Sequence, residues 1–255
     1  MKNWFGEHLL GLPPMASTNG QGVDDLVIYV HWLMIALFVG WIVYFFYVVN
    51  RFRQSRNPKA DYVGVKNHAS SYLELGVVLA EAVLLIFIAV PLWAKAVDQF
   101  PAAKDSTVIQ VVAQQYAWNA RYAGTDGEFG RQDMKFVQLD NVFGVDPSDP
   151  NGKDDVQLLN EIHVPLGKPV IVYLSSKDVI HSLKIISMRV CQDAIPGLRI
   201  PVWFNPTQTG RFQINCAQLC GALHANMAGG FLVVQSPAEY NQWLKSKTGA
   251  QTSFE

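Results

Sequence analysis

The sequence predicts an α+β membrane protein in which a two-helix transmembrane hairpin precedes a β-sandwich or barrel. Three features of the 255-residue chain support this prediction: two long apolar runs, a basic loop between them, and short β-rich segments in the remainder. Half of the residues are apolar and 16% are charged, whereas soluble domains typically carry about a quarter charged residues. This composition is typical of a chain that is partly embedded in a membrane.

The first apolar run, Leu26 to Val49, contains no Asp, Glu, Lys or Arg, and the second extends from Tyr72 to about Val97. An α-helix rises about 1.5 Å per residue, so either run can cross a hydrocarbon core about 30 Å thick. No apolar stretch long enough for a secretory signal precedes the first run, so we expect insertion of the chain into the membrane to depend on that run itself. The two runs therefore predict a helical hairpin in the membrane.

The loop between the two runs carries five basic residues, namely Arg51, Arg53, Arg56, Lys59 and Lys66. Short basic loops stay on the cytoplasmic side of a membrane. Both flanking regions are therefore expected outside. The predicted division is an external N-terminal segment (1–25), a transmembrane hairpin (26–97) with a cytoplasmic loop (51–71), and an external domain (98–255).

The external domain is rich in short segments of β-branched and aromatic residues, separated by turn residues, at 108–112, 116–122, 170–174, 179–186, 198–204, 211–215 and 231–234. This pattern is typical of an antiparallel sandwich or barrel. Ser236, Pro237 and Glu239 form a capping-box sequence, which predicts a short C-terminal helix. The acidic insertion at 124–153 is long enough to suggest a functional or mobile loop, and one hypothesis is that it docks a redox partner.

Two acids interrupt the second apolar run. Glu74 and Glu81 are seven residues apart, so they lie on roughly one helix face. A carboxylate inside a bilayer is costly and usually faces protein or water. Glu81 therefore indicates either a proton route or a contact with another membrane subunit, or else a protonated structural acid.

A group of metal-ligand residue types follows the predicted strand 211–215. It comprises Cys216, Cys220, His224 and Met227 at a C-x-x-x-C-x-x-x-H-x-x-M spacing, while His181 lies on a separate predicted strand. Soft sulfur ligands favour copper, and imidazole is compatible with it. The chain has three cysteines, an odd and small number that does not indicate a disulfide framework.

Three kinds of metal site compete for these residues. A mononuclear blue-copper site uses one Cys, two His and a weak Met, which leaves a thiol without a role. A structural zinc site uses two Cys and two His and needs no Met. A binuclear copper site uses both thiolates as bridges, one His on each copper, Met227 as a weak ligand and a backbone carbonyl. The binuclear site is favoured because it uses every residue of the group.

The copper motif, with Asp178-Val-Ile-His181-Ser182 upstream, resembles the CuA site of cytochrome c oxidase subunit II. The resemblance continues in Asp193-Ala-Ile-Pro-Gly197, in the aromatic segment Gln115-Tyr116-Ala117-Trp118, and in the order of hairpin and β domain. It covers nearly the whole chain. It implies a cupredoxin-like Greek-key β domain that carries the copper.

The resemblance also implies a role for each matching residue. Cys216 and Cys220 would bridge two copper ions, His181 and His224 would bind one each, Met227 would bind weakly, and Gln218 would bind through its backbone oxygen. Tyr116 and Trp118 are possible electron-entry residues, although Trp118 is expected to be core. Glu74 matches the acid that lies at the entrance of a proton channel in this family.

The implied function is the electron-entry subunit of a proton-translocating terminal oxidase in a bacterial cytoplasmic (inner) membrane, with the C-terminal domain on the periplasmic side. A c-type cytochrome or haem c subunit would donate electrons to CuA, and subunit I would receive them at its haem and haem–copper centre to reduce oxygen to water. Subunit III is a further expected partner. The alternatives are the CuA-carrying small subunit of a nitric oxide reductase and a membrane-tethered copper-binding protein. Nucleic acid is not an expected partner, because Lys and Arg form no stripe outside the loop.

The sequence departs from the family pattern at a few positions. Gln218 stands where the family usually has a Glu that also binds magnesium at the interface with subunit I, so the magnesium site is left open. Tyr116 stands where the family usually has Trp. Cys191 is expected to be a buried free thiol, and His163 a structural residue in an alternating strand. Asp178 and Asp193 are candidates for an acidic docking face.

Overall fold

The computed structural model describes residues 4–59, 62–64 and 66–248, which form two compact units. A helical unit comprises Met1–Leu12 and Gly22–Lys95, and a β unit comprises Pro13–Gln21 and Ala96–Glu255. The predicted loop 51–71 is therefore described except at positions 60, 61 and 65. The predicted external segment 1–25 is therefore divided between the two units, because its residues 13–21 belong to the β unit and the rest to the helical unit.

Two long helices dominate the helical unit. Helix α1 spans Gly20–Phe52, and helix α2 spans Ala69–Leu84. A π-helical turn, Leu85–Ala89, joins α2 directly to helix α3, Val90–Asp98. Both α1 and the continuous stretch 69–98 are long and apolar enough to cross a membrane, which confirms the predicted hairpin.

The π-helical turn lies just before Pro91. Proline has no N–H and clashes with the carbonyl four residues earlier, so it disturbs a regular α-helix. Here the N–H of Val90 bonds to the carbonyl of Leu85, five residues back. The wider turn accommodates the proline without ending the helix.

The β unit is a sandwich of two five-stranded sheets. The first sheet has the order β3-β2-β1-β5-β8 and the second β4-β10-β9-β6-β7. The strands are β1 (Thr107–Gln114), β2 (Ala117–Tyr122), β3 (Val156–Leu159), β4 (Glu161–Pro165), β5 (Val170–Ser176), β6 (His181–Ile185), β7 (Val190–Ala194), β8 (Ile200–Phe204), β9 (Gly210–Cys216) and β10 (Gly230–Gln235). Helix α4, Pro237–Lys247, follows with the predicted capping box at Ser236 and Glu239.

The two sheets pack through alternate residues of their strands. Val111, Trp118, Leu183, Ile214 and Leu232 belong to one fully buried core cluster that draws on both sheets. A buried aliphatic side chain contributes about 1.5–3 kcal/mol relative to an exposed one. The rigid core that results is the support for the loops at the ends of β1, β6 and β9.

The strand pattern predicted an antiparallel sandwich or barrel, but the sandwich also contains two parallel strand pairs. Strand β1 pairs in parallel with β5, and β10 pairs in parallel with β4. In both cases the partners are distant in sequence, whereas strands linked by tight turns, such as β1 and β2, pair antiparallel. Parallel neighbours need long connections, and the insertion 124–153 lies within one of them.

Residues 13–21 belong to the β unit. The N–H of Ala16 donates to Ser187 O (2.7 Å), and the N–H of Thr18 donates to Asn205 O (3.0 Å). Ser17 Oγ donates to Met188 O (2.7 Å), and both Ala16 and Ser17 are fully buried. This stretch therefore completes the β unit from the N-terminal side of α1.

Arg121 fixes the insertion 124–153 to the β unit, and a buried ion pair with Asp155, just after the insertion, holds Arg121 in place. Arg121 on β2 donates through Nε to Asp155 Oδ2 (3.0 Å) and through Nη2 to Gly130 O (2.7 Å). Its guanidinium also stacks over the ring of Phe129, 5.2 Å from the centroid. Burial raises the pKa of Asp155 and lowers the pKa of Arg121, because burial disfavours both charged forms, while the ion pair opposes each shift.

We expect Arg121→Ala to destabilise the β unit by about 3–5 kcal/mol, because Asp155 would be left buried without its partner. This corresponds to a fall in the unfolding temperature on the order of 10 °C, measurable by calorimetry of the full chain in detergent. Arg131→Ala is the matched control: the Arg131 side chain is 72% exposed and pairs with Asp146 and Asp149, so we expect less than about 1 kcal/mol. Equal losses in the two variants would contradict this assignment.

Candidate metal centre

The loop between β9 and β10 carries most of the predicted ligands. Cys216 is the last residue of β9, and His224 and Met227 lie in a 3₁₀ turn, His224–Gly229, that leads into β10. Because β9 and β10 pair antiparallel, with Ile214 opposite Gly230, the loop must fold back on itself above the end of the sandwich. This brings its sulfur and imidazole groups close to one another.

A glycine permits the sharpest part of this loop. Gly221 has φ +135°, a region that residues with a side chain rarely adopt. A Cβ at this position would lie 2.5 Å from Tyr116 Oη and 2.8 Å from Gln115 Nε2. The Cys220–Gly221 backbone therefore packs directly against the turn between β1 and β2.

His181 reaches the loop from the neighbouring strand. It is the first residue of β6, which pairs antiparallel with β9 so that Leu183 lies opposite Cys216. The imidazole is fully buried. The donor atoms of His181, Cys216 and Cys220 all lie within 4.8 Å of one another.

The remaining distances define a compact group of soft donors. His181 Nδ1 is 3.0 Å from Met227 Sδ and 4.0 Å from Cys216 Sγ. Cys220 Sγ is 3.3 Å from His224 Nδ1 and 3.4 Å from Met227 Sδ. Cys216 Sγ lies 3.0 Å from the backbone oxygen of Gln218. All six predicted ligands thus contribute an atom to the group, and each imidazole lies beside a different thiol.

An acidic residue orients His181. Asp178 Oδ1 lies 2.9 Å from His181 Nε2, and an Nε2–H donor leaves Nδ1 as the acceptor that faces the sulfur atoms. Partial burial acts to raise the pKa of Asp178, but hydrogen bonds from Gln115, His181 and Val179 outweigh it and hold the pKa below its usual value. We therefore interpret Asp178 as a residue that orients His181, rather than only as a charge on the predicted acidic docking face.

Burial and the neighbouring Cys216 raise the pKa of the Cys220 thiol to about 11. A metal ligand must be a thiolate. Metal binding at this loop is therefore expected to release protons and to strengthen as the pH rises.

The other predicted residues occupy distinct surroundings. Trp118 is fully buried, donates from Nε1 to Met227 O (3.0 Å), and makes an edge contact with His181 at 6.2 Å between ring centroids. Tyr116 is half-buried next to Gly221. Glu74 lies in α2 of the helical unit and is not part of the donor group.

Cys191 is exposed, so the expectation that it is buried is wrong. It lies on β7 opposite Lys184, on the face of the sheet that points away from the core. Gln115 was given no role of its own in the sequence analysis, although its backbone N–H donates to Asp178 Oδ2 and its side chain to Cys220 O. Its position next to Tyr116 in the aromatic segment was the available signal.

Comparisons with known proteins agree with these features. The family model for the periplasmic domain of cytochrome c oxidase subunit II matches residues 107–236. An alternative cytochrome c oxidase subunit 2 from Bradyrhizobium diazoefficiens is 32% identical over 91% of this chain and 82% of its own length. A cytochrome c oxidase subunit 2 from Cereibacter sphaeroides is 26% identical over 94% of this chain and 84% of its own length.

A solved structure of the periplasmic domain of subunit II of cytochrome oxidase from Bradyrhizobium japonicum is 26% identical, with a TM-score of 0.41, over 58% of this chain and 95% of that one. The family model spans half of the chain, and the Bradyrhizobium diazoefficiens relative extends the match over most of its length. The chain belongs to the cytochrome c oxidase subunit II family.

Proposed function

We propose that this chain is the electron-entry subunit of a bacterial terminal oxidase, and that it holds a binuclear copper centre at His181, Cys216, Gln218, Cys220, His224 and Met227. The observation that carries the proposal is the convergence of these six donors in one group. A copper pair bound there would supply a one-electron carrier between a c-type cytochrome and the haem and haem–copper centre of subunit I. Oxygen reduction and the coupled proton translocation would occur in that partner.

The donor set fits two copper ions better than one metal ion. His181 Nδ1 lies on the Cys216 side of the group, and His224 Nδ1 lies beside Cys220. A mononuclear blue-copper site would use a single thiolate and leave the second cysteine beside it without a role. A structural zinc site would not account for Met227, whose sulfur faces both His181 and Cys220.

The fold would favour rapid electron transfer through a bound copper pair, because packing and hydrogen bonds fix the proposed ligands in place. His181 and Met227 are fully buried, His181 is fixed by Asp178, and the carbonyl of Met227 is fixed by Trp118. Ligands that are locked by packing and by outer hydrogen bonds keep one geometry in both oxidation states. A small change of geometry means that little reorganisation opposes the transfer.

The two loops that carry the predicted ligands expose four apolar side chains, which are called the apolar rim here. Leu219 and Leu223 are 82% and 53% exposed, and Val179 and Ile180 on the His181 loop are also exposed. Exposed apolar side chains in one region mark contact surfaces. We propose that the donor cytochrome contacts this rim and that Tyr116 is the entry point for the electron. The negative charge of Asp193 would help to steer the cytochrome to this surface.

We expect Leu219→Asp to lower kcat/KM for cytochrome c about tenfold, because a charge in the centre of an apolar contact costs about 1–2 kcal/mol. The copper spectrum should not change, since the Leu219 side chain points to solvent. Leu139→Asp is the matched control, because Leu139 is 92% exposed on the insertion 124–153. A larger loss for Leu139→Asp would move the docking surface to the insertion.

The hairpin is proposed to bind subunit I, and subunit III is a further proposed partner. Both long helices expose apolar side chains along their lengths, such as Phe38, Val43, Val78 and Leu85, as expected for surfaces covered by lipid or by other membrane helices. Glu74 would lie at a proton entrance on the cytoplasmic side. The magnesium site, which Gln218 leaves open, is tested by metal analysis of the assembled oxidase.

The deciding experiment is copper analysis and electron paramagnetic resonance of the full chain, loaded with copper in detergent. Two coppers per chain, with one unpaired electron shared by both nuclei, would support the proposal. A single localised copper would return the chain to a tethered copper-binding protein. Activity with nitric oxide and not with oxygen, in the assembled complex, would identify a nitric oxide reductase.

A further inference from the structure

We propose that Gln115 is a positioning residue for the copper centre, and that it links the loop of His181 to the loop of Cys220. The inference rests on the proposed function, because it concerns the geometry of the same site. Gln115 occupies the turn between β1 and β2, whose ends are fixed by the pairing of Gln114 with Ala117. Its position is therefore set by the rigid first sheet, which contributes no ligand itself.

The backbone of Gln115 holds the His181 loop. Its N–H donates to Asp178 Oδ2 (2.7 Å), and the other oxygen of Asp178 lies 2.9 Å from His181 Nε2. A carboxylate that accepts hydrogen bonds at both oxygens cannot rotate freely. The direction of the His181 ring is thus tied, through one carboxylate, to the end of β1.

The side chain of Gln115 holds the Cys220 loop. Its Nε2 donates to the backbone oxygen of Cys220 (2.6 Å). The sulfur of Cys220 lies 3.3 Å from His224 Nδ1 and 3.4 Å from Met227 Sδ. A Cβ on Gly221 would come within 2.8 Å of this amide nitrogen, so the loop is packed directly on Gln115. The hydrogen bond fixes the peptide plane after Cys220 and thereby the direction of its thiol.

One residue therefore connects ligands that approach the metal from different strands. The side-chain hydrogen bond can be removed without affecting the backbone hydrogen bond to Asp178, because any residue except proline keeps the N–H. Gln115→Leu removes the donor at similar size. Gln115→Glu places an acceptor opposite the Cys220 carbonyl, at a residue exposed enough to tolerate the charge.

The test uses the full chain loaded with copper in detergent, with three readouts: the copper hyperfine splitting, the midpoint potential, and the rate of copper loss to a chelator. Loss of an outer partner of a metal ligand typically weakens metal affinity about 10–100-fold. We expect both variants to lose copper at least about tenfold faster and to show altered hyperfine splitting. The unfolding temperature should change little.

Gln208→Leu is the matched control. The side chain of Gln208 also donates from Nε2 to a backbone oxygen, that of Met15 (3.1 Å), but Gln208 and Met15 are not part of the donor group. The Gln208→Leu variant should equal the wild type in copper spectrum, midpoint potential and rate of copper loss. Unchanged readouts in both Gln115 variants, or equal changes in Gln208→Leu, would overturn the inference. A wild-type chain that fails to bind two coppers would instead refute the proposed function.

Discussion

Cys220→Ser is expected to abolish the shared-electron copper signal and to reduce cytochrome c oxidation by more than about 100-fold. Loss of a hydrogen-bond partner of a metal ligand typically lowers activity by up to about 100-fold, and loss of a ligand itself should cost more. Cys220 Sγ lies 3.3 Å from His224 Nδ1 and 3.4 Å from Met227 Sδ, so it contacts two other predicted ligands. A serine hydroxyl is a hard donor that does not ionise at neutral pH, so it would not take the place of the Cys220 thiolate as a copper ligand in the proposed centre. Copper content, resonance spectrum and turnover of the assembled oxidase provide the measurement.

The same substitution at Cys191 is the control. Cys191 is exposed and lies outside the donor group, so Cys191→Ser should leave copper content and turnover unchanged. Loss of copper in both variants would show that general thiol chemistry, rather than the geometry around Cys220, governs metal retention.

His181→Ala should remove copper from the site and stop electron transfer, again by more than about 100-fold. The substitution deletes the only predicted ligand contributed by β6 and leaves Asp178 without the ring that it orients. Copper content and the rate of cytochrome c oxidation measure the effect. Retention of two coppers with an unchanged spectrum would remove His181 from the proposed ligands.

His163 offers a control with the opposite outcome. Its ring stacks on Trp243 of α4 at 4.2 Å between centroids, and its Nδ1 lies 3.0 Å from Gln235 Oε1. His163→Ala should therefore lower stability by about 1 kcal/mol, while copper content and spectrum remain those of the wild type. The two histidine variants separate the metal site from the packing of α4.

Some of the fold follows directly from local sequence patterns. The apolar runs predicted the hairpin because only helices of that length satisfy their backbone groups in lipid. The capping box predicted α4 because Ser236 and Glu239 satisfy each other's backbone N–H groups at the helix start. The C-x-x-x-C-x-x-x-H-x-x-M spacing placed its donors on one short loop between two strands, and the structure brings them together.

Other features depend on tertiary packing and could not be predicted from a local pattern. Strand β7, Val190–Ala194, was missed because Cys191, Gln192 and Asp193 give it no clear apolar alternation. The parallel pairing of β1 with β5 is set by the whole sandwich. The hydrogen bond of Gln115 to Cys220 joins residues 105 positions apart, and nothing in either segment alone indicates it.

The binding of residues 13–21 into the β unit has a consequence for biosynthesis. Ser17 precedes its hydrogen-bond partner Met188 by 171 positions, so it leaves the ribosome long before the strands that will receive it. In the proposed topology it must already have been exported when they arrive. A soluble fragment that starts after the hairpin would lack this stretch and leave Ser187 O and Asn205 O without their partners. If the predicted topology holds, export of the segment ahead of α1 is a condition for completing the β unit on the outer side of the membrane.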